Sequence, residues 1–167
     1  MRSSIVCALF VVGCAGAGSR QPAAHYAGEP FDLEQRGDRI TGQVCGMDVS
    51  FDVARSGDAV ALTGFIDGRD PVHLLARPDV TGRAITGGLG THAGNAAVDL
   101  RLGRDQLAGR VGFRRFDLHA HGDELAGTMQ IAGAIEPSDA VLAGRAQLAA
   151  LPLDTQAALV PALRASA

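Results

Sequence analysis

The sequence is poor in several residue types that would point to a particular partner. It contains no lysine and no tryptophan, one tyrosine and six phenylalanines among 167 residues. All 15 basic side chains are therefore arginines, and 18 acidic side chains outnumber them, for a formal net charge of −3. A nucleic-acid-binding domain concentrates basic side chains on one face, and the sequence shows no such concentration. We therefore predict no nucleic-acid partner.

The sequence also lacks an apolar run long enough for a transmembrane helix. A spanning helix needs about 20 apolar residues, whereas the strongest run, at residues 5–12, has only about eight. That run follows the short charged start Met1-Arg2 and precedes small residues. A charged start, a short apolar core and small residues at the end are the parts of a secretory signal peptide.

The end of this run has a more specific form. The segment Val-Val-Gly-Cys at residues 11–14 resembles the lipobox of bacterial lipoproteins, with Val11 where leucine is commonest. The resemblance covers the first 14 residues and implies cleavage before Cys14, with lipid on its thiol. Ala15, not aspartate, follows the cysteine, which in such lipoproteins implies the outer membrane. The alternative interpretation is an ordinary signal peptide with an incidental cysteine.

These features divide the chain into three predicted parts: a signal peptide at 1–13, a lipidated flexible tether at 14–27, and a single β domain with a C-terminal helix at 28–167. Cleavage leaves a chain of one domain's length and removes Arg2, which takes the net charge from −3 to about −4. Cys7 leaves with the signal peptide and Cys14 carries lipid. We therefore expect no internal disulfide, and Cys45 to be a small buried side chain.

A repeat organises the part of the chain that follows. Four segments, starting at Phe31, Phe51, Val98 and Phe116, each begin with an apolar residue, an aspartate and an aliphatic residue. A second aspartate follows the first by six positions, and a small residue plus glycine comes shortly afterwards. A recurring pattern of this kind indicates a repeated supersecondary unit. Gly-Asp between alternating runs is typical of a two-residue β-hairpin turn of type II′.

The turns fix a strand register that can be checked against the sequence. They predict the pairs Leu33 with Gly42, Phe31 with Val44, Phe51 with Gly64, Val53 with Leu62, Val98 with Val111, Leu100 with Gly109, Leu118 with Gly127, and Phe116 with Met129. This register places the apolar residues on one face and the charged residues on the other, as a half-buried antiparallel sheet requires. A slip of one residue would destroy the separation.

The predicted fold is mainly β: an antiparallel meander of about ten strands built from repeated hairpins, with a short C-terminal helix. Glycines on the inner face, such as Gly42 and Gly64, favour sharp bends or give a large neighbouring side chain room, so we expect a strongly curled sheet or a barrel. Weaker patterns predict a strand at 71–76, a turn at 77–79, a strand at 83–90 with a loop at 91–95, and a last strand at 142–145. Asp154 or Thr155 is the expected cap of a helix that runs to Val160.

His119 and His121 are the best candidates for a metal site. They occupy alternate positions of one predicted strand, and Asp117 and Glu124 lie nearby in the register. Two histidines and a carboxylate can hold Zn²⁺, but a solvated strand face carries the same residue types. We favour the solvated face. The repeated aspartates lack the spacing of a calcium loop, and no catalytic constellation is evident. We predict no cofactor, no metal, no catalytic residue and no enzymatic activity.

Three hypotheses for function remain open at this point. The first is a non-catalytic envelope lipoprotein whose β domain is a structural or protein-interaction module at the membrane surface. The second is a lipocalin-like carrier of a small apolar ligand or lipid, and the third is an enzyme. The inner face distinguishes the first two, because its side chains either fill the interior or line a cavity. The residues that would face such a ligand are Phe31, Leu33, Phe51, Val53, Leu62, Val98, Leu100, Val111, Phe116, Leu118 and Met129.

Overall fold

The computed structural model describes residues 23–28, 31–91, 94–143 and 151–165. Most of these residues lie in strands. The strands are β1 (Ala24–Gly28), β2 (Phe31–Arg36), β3 (Arg39–Val44), β4 (Met47–Ser56), β5 (Ala59–Ile66), β6 (Asp70–Asp79), β7 (Gly82–Thr91), β8 (Gly94–Gly103), β9 (Gln106–Val111), β10 (Arg114–His121), β11 (Glu124–Ile131) and β12 (Ser138–Ala143). Two short helices, α1 (Leu153–Ala158) and α2 (Val160–Ala165), follow near the C-terminus.

Every strand pairs with its neighbours in sequence, so the sheet order is β1 to β12 without a crossover. All the pairings are antiparallel. The predicted mainly-β class, the antiparallel meander and the C-terminal helix are confirmed. The prediction of about ten strands was too low, since the described residues form a sheet of 12.

The hairpin register is confirmed pair by pair. Leu33 lies opposite Gly42, Phe51 opposite Gly64, Val98 opposite Val111 and Phe116 opposite Met129. Gly37, Gly57 and Gly122 have φ angles of 58°, 57° and 64°, whereas the aspartate after each has no positive φ. A positive φ at the first turn position alone is the geometry of a type II′ hairpin.

The prediction of a barrel or a strongly curled sheet was wrong. Within the described residues β1 pairs only with β2 and β12 only with β11, so the ladder is open. The apolar face is buried by another element: α1 contacts β5 and β6, and Ala157, Ala158 and Val160 belong to the hydrophobic core. The C-terminal helical segment thus takes the role that the sequence interpretation gave to closure of the sheet.

Smaller differences have local causes. Residues 77–79, predicted as a turn, continue β6, and the turn comes at Val80 and Thr81. Pro78 lies opposite Arg83 of β7, next to the hairpin-closing pair of Asp79 and Gly82, so its backbone nitrogen faces β5. Because β5 pairs with β6 only as far as Ala76, no ladder hydrogen bond needs the missing N–H. Residues 24–27 of the expected tether belong to β1. The predicted loop at 91–95 is also wrong where the structure describes it, since Thr91 lies in β7 and Gly94 and Asn95 lie in β8. The last strand begins earlier than predicted and ends at Ala143, while 144 and 145 lie outside the described residues.

The helix also differs in detail from its prediction. It begins at Leu153 after Pro152, which makes no side-chain capping hydrogen bond, so Asp154 and Thr155 lie inside the first turn. Leu159 separates α1 from α2. Pro161 is the second residue of α2, a first-turn position where its missing N–H has no helical partner to lose.

Candidate functional site

The predicted ligand-facing residues lie together on the inner face of the sheet. Ten of the eleven are buried, with exposures of 0 to 9%, and Phe31 is half-buried against the same core. They form one hydrophobic cluster that also includes residues of both helices. A void large enough for a ligand would leave water-accessible area on the side chains that line it. Exposures this low are typical of side chains that pack against one another.

One polar cluster interrupts the apolar inner face, where the helical segment begins. The Asp154 carboxylate is buried and accepts hydrogen bonds from Arg55 Nη2 and from Gln35 Nε2, the latter at 2.9 Å. The Thr155 backbone N–H donates to the other oxygen of the Asp154 carboxylate, Oδ1, at 2.8 Å. A buried carboxylate is tolerated when it is paired and hydrogen-bonded. The cluster therefore ties α1 to β2 and β4.

Further contacts tie the helical segment to more distant strands. Arg83 Nη1 on β7 donates to the Leu151 carbonyl oxygen at 3.3 Å. Arg114 Nη1 on β10 donates to the Leu163 carbonyl oxygen at 3.2 Å. Hydrogen bonds thus join the helical segment to β2, β4, β7 and β10. Both partners of each hydrogen bond belong to the domain itself. We assign the cluster a structural role.

His119 and His121 lie on the exposed face of β10, as the register predicted. His119 Nε2 lies 3.1 Å from Asp117 Oδ1, which also accepts a hydrogen bond from Gln106 Nε2 at 3.0 Å. His121 lies opposite Glu124 in the ladder. Across the part of the chain that the structure describes, no three His, Cys, Asp or Glu side chains are grouped closely enough to hold a metal ion. The two histidines belong to a solvated strand face.

Cys45 is less buried than predicted. It is a half-buried free thiol in the turn between β3 and β4, with a φ of 51°, and Gly46 after it has a φ of 74°. Two successive positive φ angles are the geometry of a type I′ turn. Partial burial raises the pKa of the Cys45 thiol, because it disfavours the thiolate. A raised pKa argues against a reactive cysteine.

An apolar surface stands out at one end of the sheet. It consists of Phe113 in the β9–β10 turn, Ile131 at the end of β11 and Ile135 in the following loop, and we call these three residues the apolar tip. Their exposed fractions are 79%, 39% and 98%. Large exposed apolar side chains that lie close together mark interaction surfaces, and the Ala132 N–H, which donates to the Phe113 carbonyl oxygen, brings the two loops together. The apolar tip is the candidate interaction site of the domain.

The sequence interpretation missed both the apolar tip and the Asp154 cluster. Phe113 sits between Gly112 and Arg114, directly after a predicted strand, and this break in the alternation was the available signal for the tip. Nothing in the sequence near Asp154 identifies Gln35 or Arg55 as its partners. Cys14, the lipobox and most of the tether lie outside the described residues.

Comparisons with known protein families, with characterised proteins and with solved structures found no match for this chain. None of the helices in the described ranges is long and apolar enough to cross a membrane. The residues and their geometry are therefore the basis for any functional conclusion.

Proposed function

We propose that this protein is a non-catalytic envelope lipoprotein, anchored through lipid on Cys14, whose β domain is a structural or protein-interaction module at the membrane surface. The outer membrane is the expected location, because Ala15 follows the cysteine. Its partners are the membrane and, in this proposal, another envelope protein. The lipobox resemblance supports the anchor, and the packed β domain supports the module.

One observation favours a module over a carrier: the residues that would face a ligand are buried against one another and against the helical segment. A carrier of a drug-sized apolar ligand needs a pocket of roughly 300–1,000 Å³. Such a pocket would leave accessible area on Leu33, Phe51 and Leu62, which are 0% exposed.

The alternative is a lipocalin-like carrier of a small apolar ligand or lipid. One feature supports it, because the element that lies on the apolar face is a separate helical segment at the end of the chain. Displacement of that segment would uncover an apolar surface. Native mass spectrometry of the purified chain distinguishes the two proposals. A co-purifying lipid or small apolar molecule would favour the carrier, and a mass without one favours the module.

The anchor is tested by metabolic labelling with a fatty-acid analogue. The chain should take up label and sediment with membranes, and Cys14→Ser should abolish both. Cys7→Ser is the matched control, since it removes a neighbouring thiol but leaves the lipobox intact, and it should label like the unchanged chain. Label retained by Cys14→Ser would refute the anchor.

A further inference from the structure

We infer that the apolar tip, together with Arg110 and Arg115, forms a second membrane contact that docks on a bilayer with anionic phospholipid headgroups. The inference rests on the proposed function, because lipid on Cys14 is what holds the domain beside a bilayer. It adds a defined orientation, with the β9–β10 turn facing the membrane.

Hydrogen bonds hold the two loops of the tip side by side. The Ala132 N–H donates to the Phe113 carbonyl oxygen at 2.8 Å, which extends the β10–β11 ladder beyond its last strand pair. The Ala134 N–H donates to the Ile131 carbonyl oxygen at 2.9 Å. The loop therefore keeps its shape while its apolar side chains remain in water. These hydrogen bonds order the backbone of the two loops before binding, which lowers the ordering cost of entering a bilayer interface.

The arginines lie beside the tip on the exposed face. Arg115 is directly opposite Arg110 in the β9–β10 ladder, two positions from Phe113, and both side chains are exposed. Like charges directly opposite each other destabilise a sheet. In the described part of the chain neither guanidinium forms an ion pair, although Asp99 lies opposite Arg110 on β8. Two adjacent arginines without ion pairs to the described residues complement an anionic surface.

The composition of the surface favours a lipid partner over a protein partner. A stable protein interface uses about 20–30 residues on each side, whereas the tip consists of three large apolar side chains on two adjacent loops. Membrane-surface segments combine apolar side chains that enter the acyl boundary with arginines that contact phosphates. Phe113 and Ile135 supply the first part, and Arg110 and Arg115 supply the second.

The length of chain before β1 is compatible with this orientation. Ala24 pairs with Gln35 at the opposite end of the sheet from the tip. About ten Cα–Cα steps separate Cys14 from Ala24, which at full extension span roughly 33 Å. A strand of the length of β10 spans about 27 Å. The anchor and the tip can thus reach the same bilayer.

The absence of tryptophan from the sequence allows a direct test. Phe113→Trp in the full chain places a single indole at the tip, and the protein is mixed with or reconstituted into vesicles of phosphatidylglycerol and phosphatidylcholine. We expect a blue shift of the indole emission and quenching by brominated acyl chains. Val80→Trp is the matched control, because Val80 is 99% exposed at the other end of the sheet, and its indole should remain in water.

The arginines are tested in the Phe113→Trp background. Arg115→Gln should lower the ratio of bilayer-bound to water-exposed indole about fivefold, since one basic residue near an anionic surface is worth about 1 kcal/mol. Arg110→Gln with Arg115→Gln should lower it about 25-fold. Arg77→Gln, an exposed arginine at the opposite end of the sheet, should leave it unchanged.

Two results would overturn the inference. One is an indole at position 113 that is no more quenched than the one at position 80. The other is a blue shift that depends on protein concentration and not on lipid, which would identify a second copy of the chain as the partner. Labelling of Cys14 is scored separately. If Cys14 takes up no label but the indole at position 113 is quenched, the anchor alone is refuted. If Cys14 is labelled but that indole is not quenched, the membrane contact alone is refuted.

Discussion

At the scale of single residues, six strand glycines allow neighbouring strands to approach unusually closely. A Cβ atom on any of them would overlap a backbone carbonyl oxygen of the adjacent strand; they are Gly42, Gly64, Gly82, Gly87, Gly109 and Gly127. In each case the oxygen belongs to the residue before the cross-strand partner, as with Ser50 before Phe51. Only glycine permits this approach, so these positions determine how tightly the strands pair.

Gly64→Ala tests the close approach without a change of backbone preference, because Gly64 has no positive φ. The new methyl group would overlap the Ser50 carbonyl oxygen, and the backbone would have to shift. Overpacking of this kind costs roughly 1–3 kcal/mol. We expect Gly64→Ala to lower the free energy of unfolding by about 3 kcal/mol, measured by denaturant unfolding followed by circular dichroism.

Gly68→Asn is the control for that variant. Gly68 has a φ of 67°, and a Cβ atom added to it would meet no neighbouring group within 4 Å, while asparagine tolerates this backbone conformation. Its free energy of unfolding should change by only a few tenths of a kcal/mol. Equal losses for the two variants would show that strand approach is not what Gly64 provides.

The sequence identified the positions of four of these glycines, but it explained only in part why glycine is needed there. The register placed Gly42, Gly109 and Gly127 opposite leucines and Gly64 opposite Phe51, and these pairings are confirmed. The prediction assigned them to bends or to room for large side chains. Backbone approach is a property of two strands at once, so a pattern along one strand does not reveal it.

At the scale of elements, the helical segment depends on its surroundings. Each of its two helices has six residues, and isolated helices shorter than about 12–15 residues are marginal in water. The first helix has no side-chain cap, yet residues 154–158 are all buried. Packing on the sheet and the Asp154 cluster must therefore hold it in place.

Arg55 offers an internal comparison for this element, because it bridges two carboxylates. Asp154 is buried, with 4% of its side chain exposed, whereas Asp38 is 81% exposed at a hairpin turn. Asp154→Ala should lower the free energy of unfolding by roughly 2–3 kcal/mol, since it removes the buried acceptor of the hydrogen bonds from Gln35 Nε2 and Arg55 Nη2. Asp38→Ala should cost less than about 1 kcal/mol, as exposed ion pairs do.

Both variants can be followed by thermal unfolding, with limited proteolysis to report on the C-terminal segment. Cleavage within 151–165 should accelerate for Asp154→Ala and stay unchanged for Asp38→Ala. Equal behaviour of the two variants would show that the segment is held by apolar packing alone. The sequence predicted Asp154 only as a helix cap, because its partners are about 100 positions away and belong to other elements.

At the scale of the whole molecule, one core joins strands that are far apart in the chain. Leu33 on β2 and Leu125 on β11 belong to the same buried cluster, with exposures of 0% and 1%. The domain should therefore unfold in a single cooperative transition. Binary patterning predicted this core well, since it depends only on alternation within strands.

Leu33→Ala and Leu125→Ala should each lower the stability of the whole domain by roughly 2–5 kcal/mol, as cavities in packed cores do. Leu75→Ala is the control, because Leu75 lies 40% exposed on the outer face, and it should cost less than either. Differential scanning calorimetry should show one shifted transition for each core variant. A second transition in either variant would indicate two independent cores.

The error at this scale was the closure of the sheet. Curl was predicted from local glycines, whereas closure requires β1 and β12 to pair, and the described strands at the two edges do not. What covers an apolar face depends on elements that pack from elsewhere in the chain. The sequence predicted the C-terminal helix, but no pattern in it indicated that the helix would lie on β5 and β6.

For the proposed envelope lipoprotein, the meander order has a consequence for export. Each hairpin can pair as soon as its second strand has crossed the membrane, because no strand waits for a distant partner. The helical segment is different: β6 ends at Asp79, and α1 ends 79 residues later at Ala158. The apolar surface of β5 and β6 therefore stays uncovered until those 79 residues have also emerged. During that interval the emerging chain is a substrate for holding chaperones.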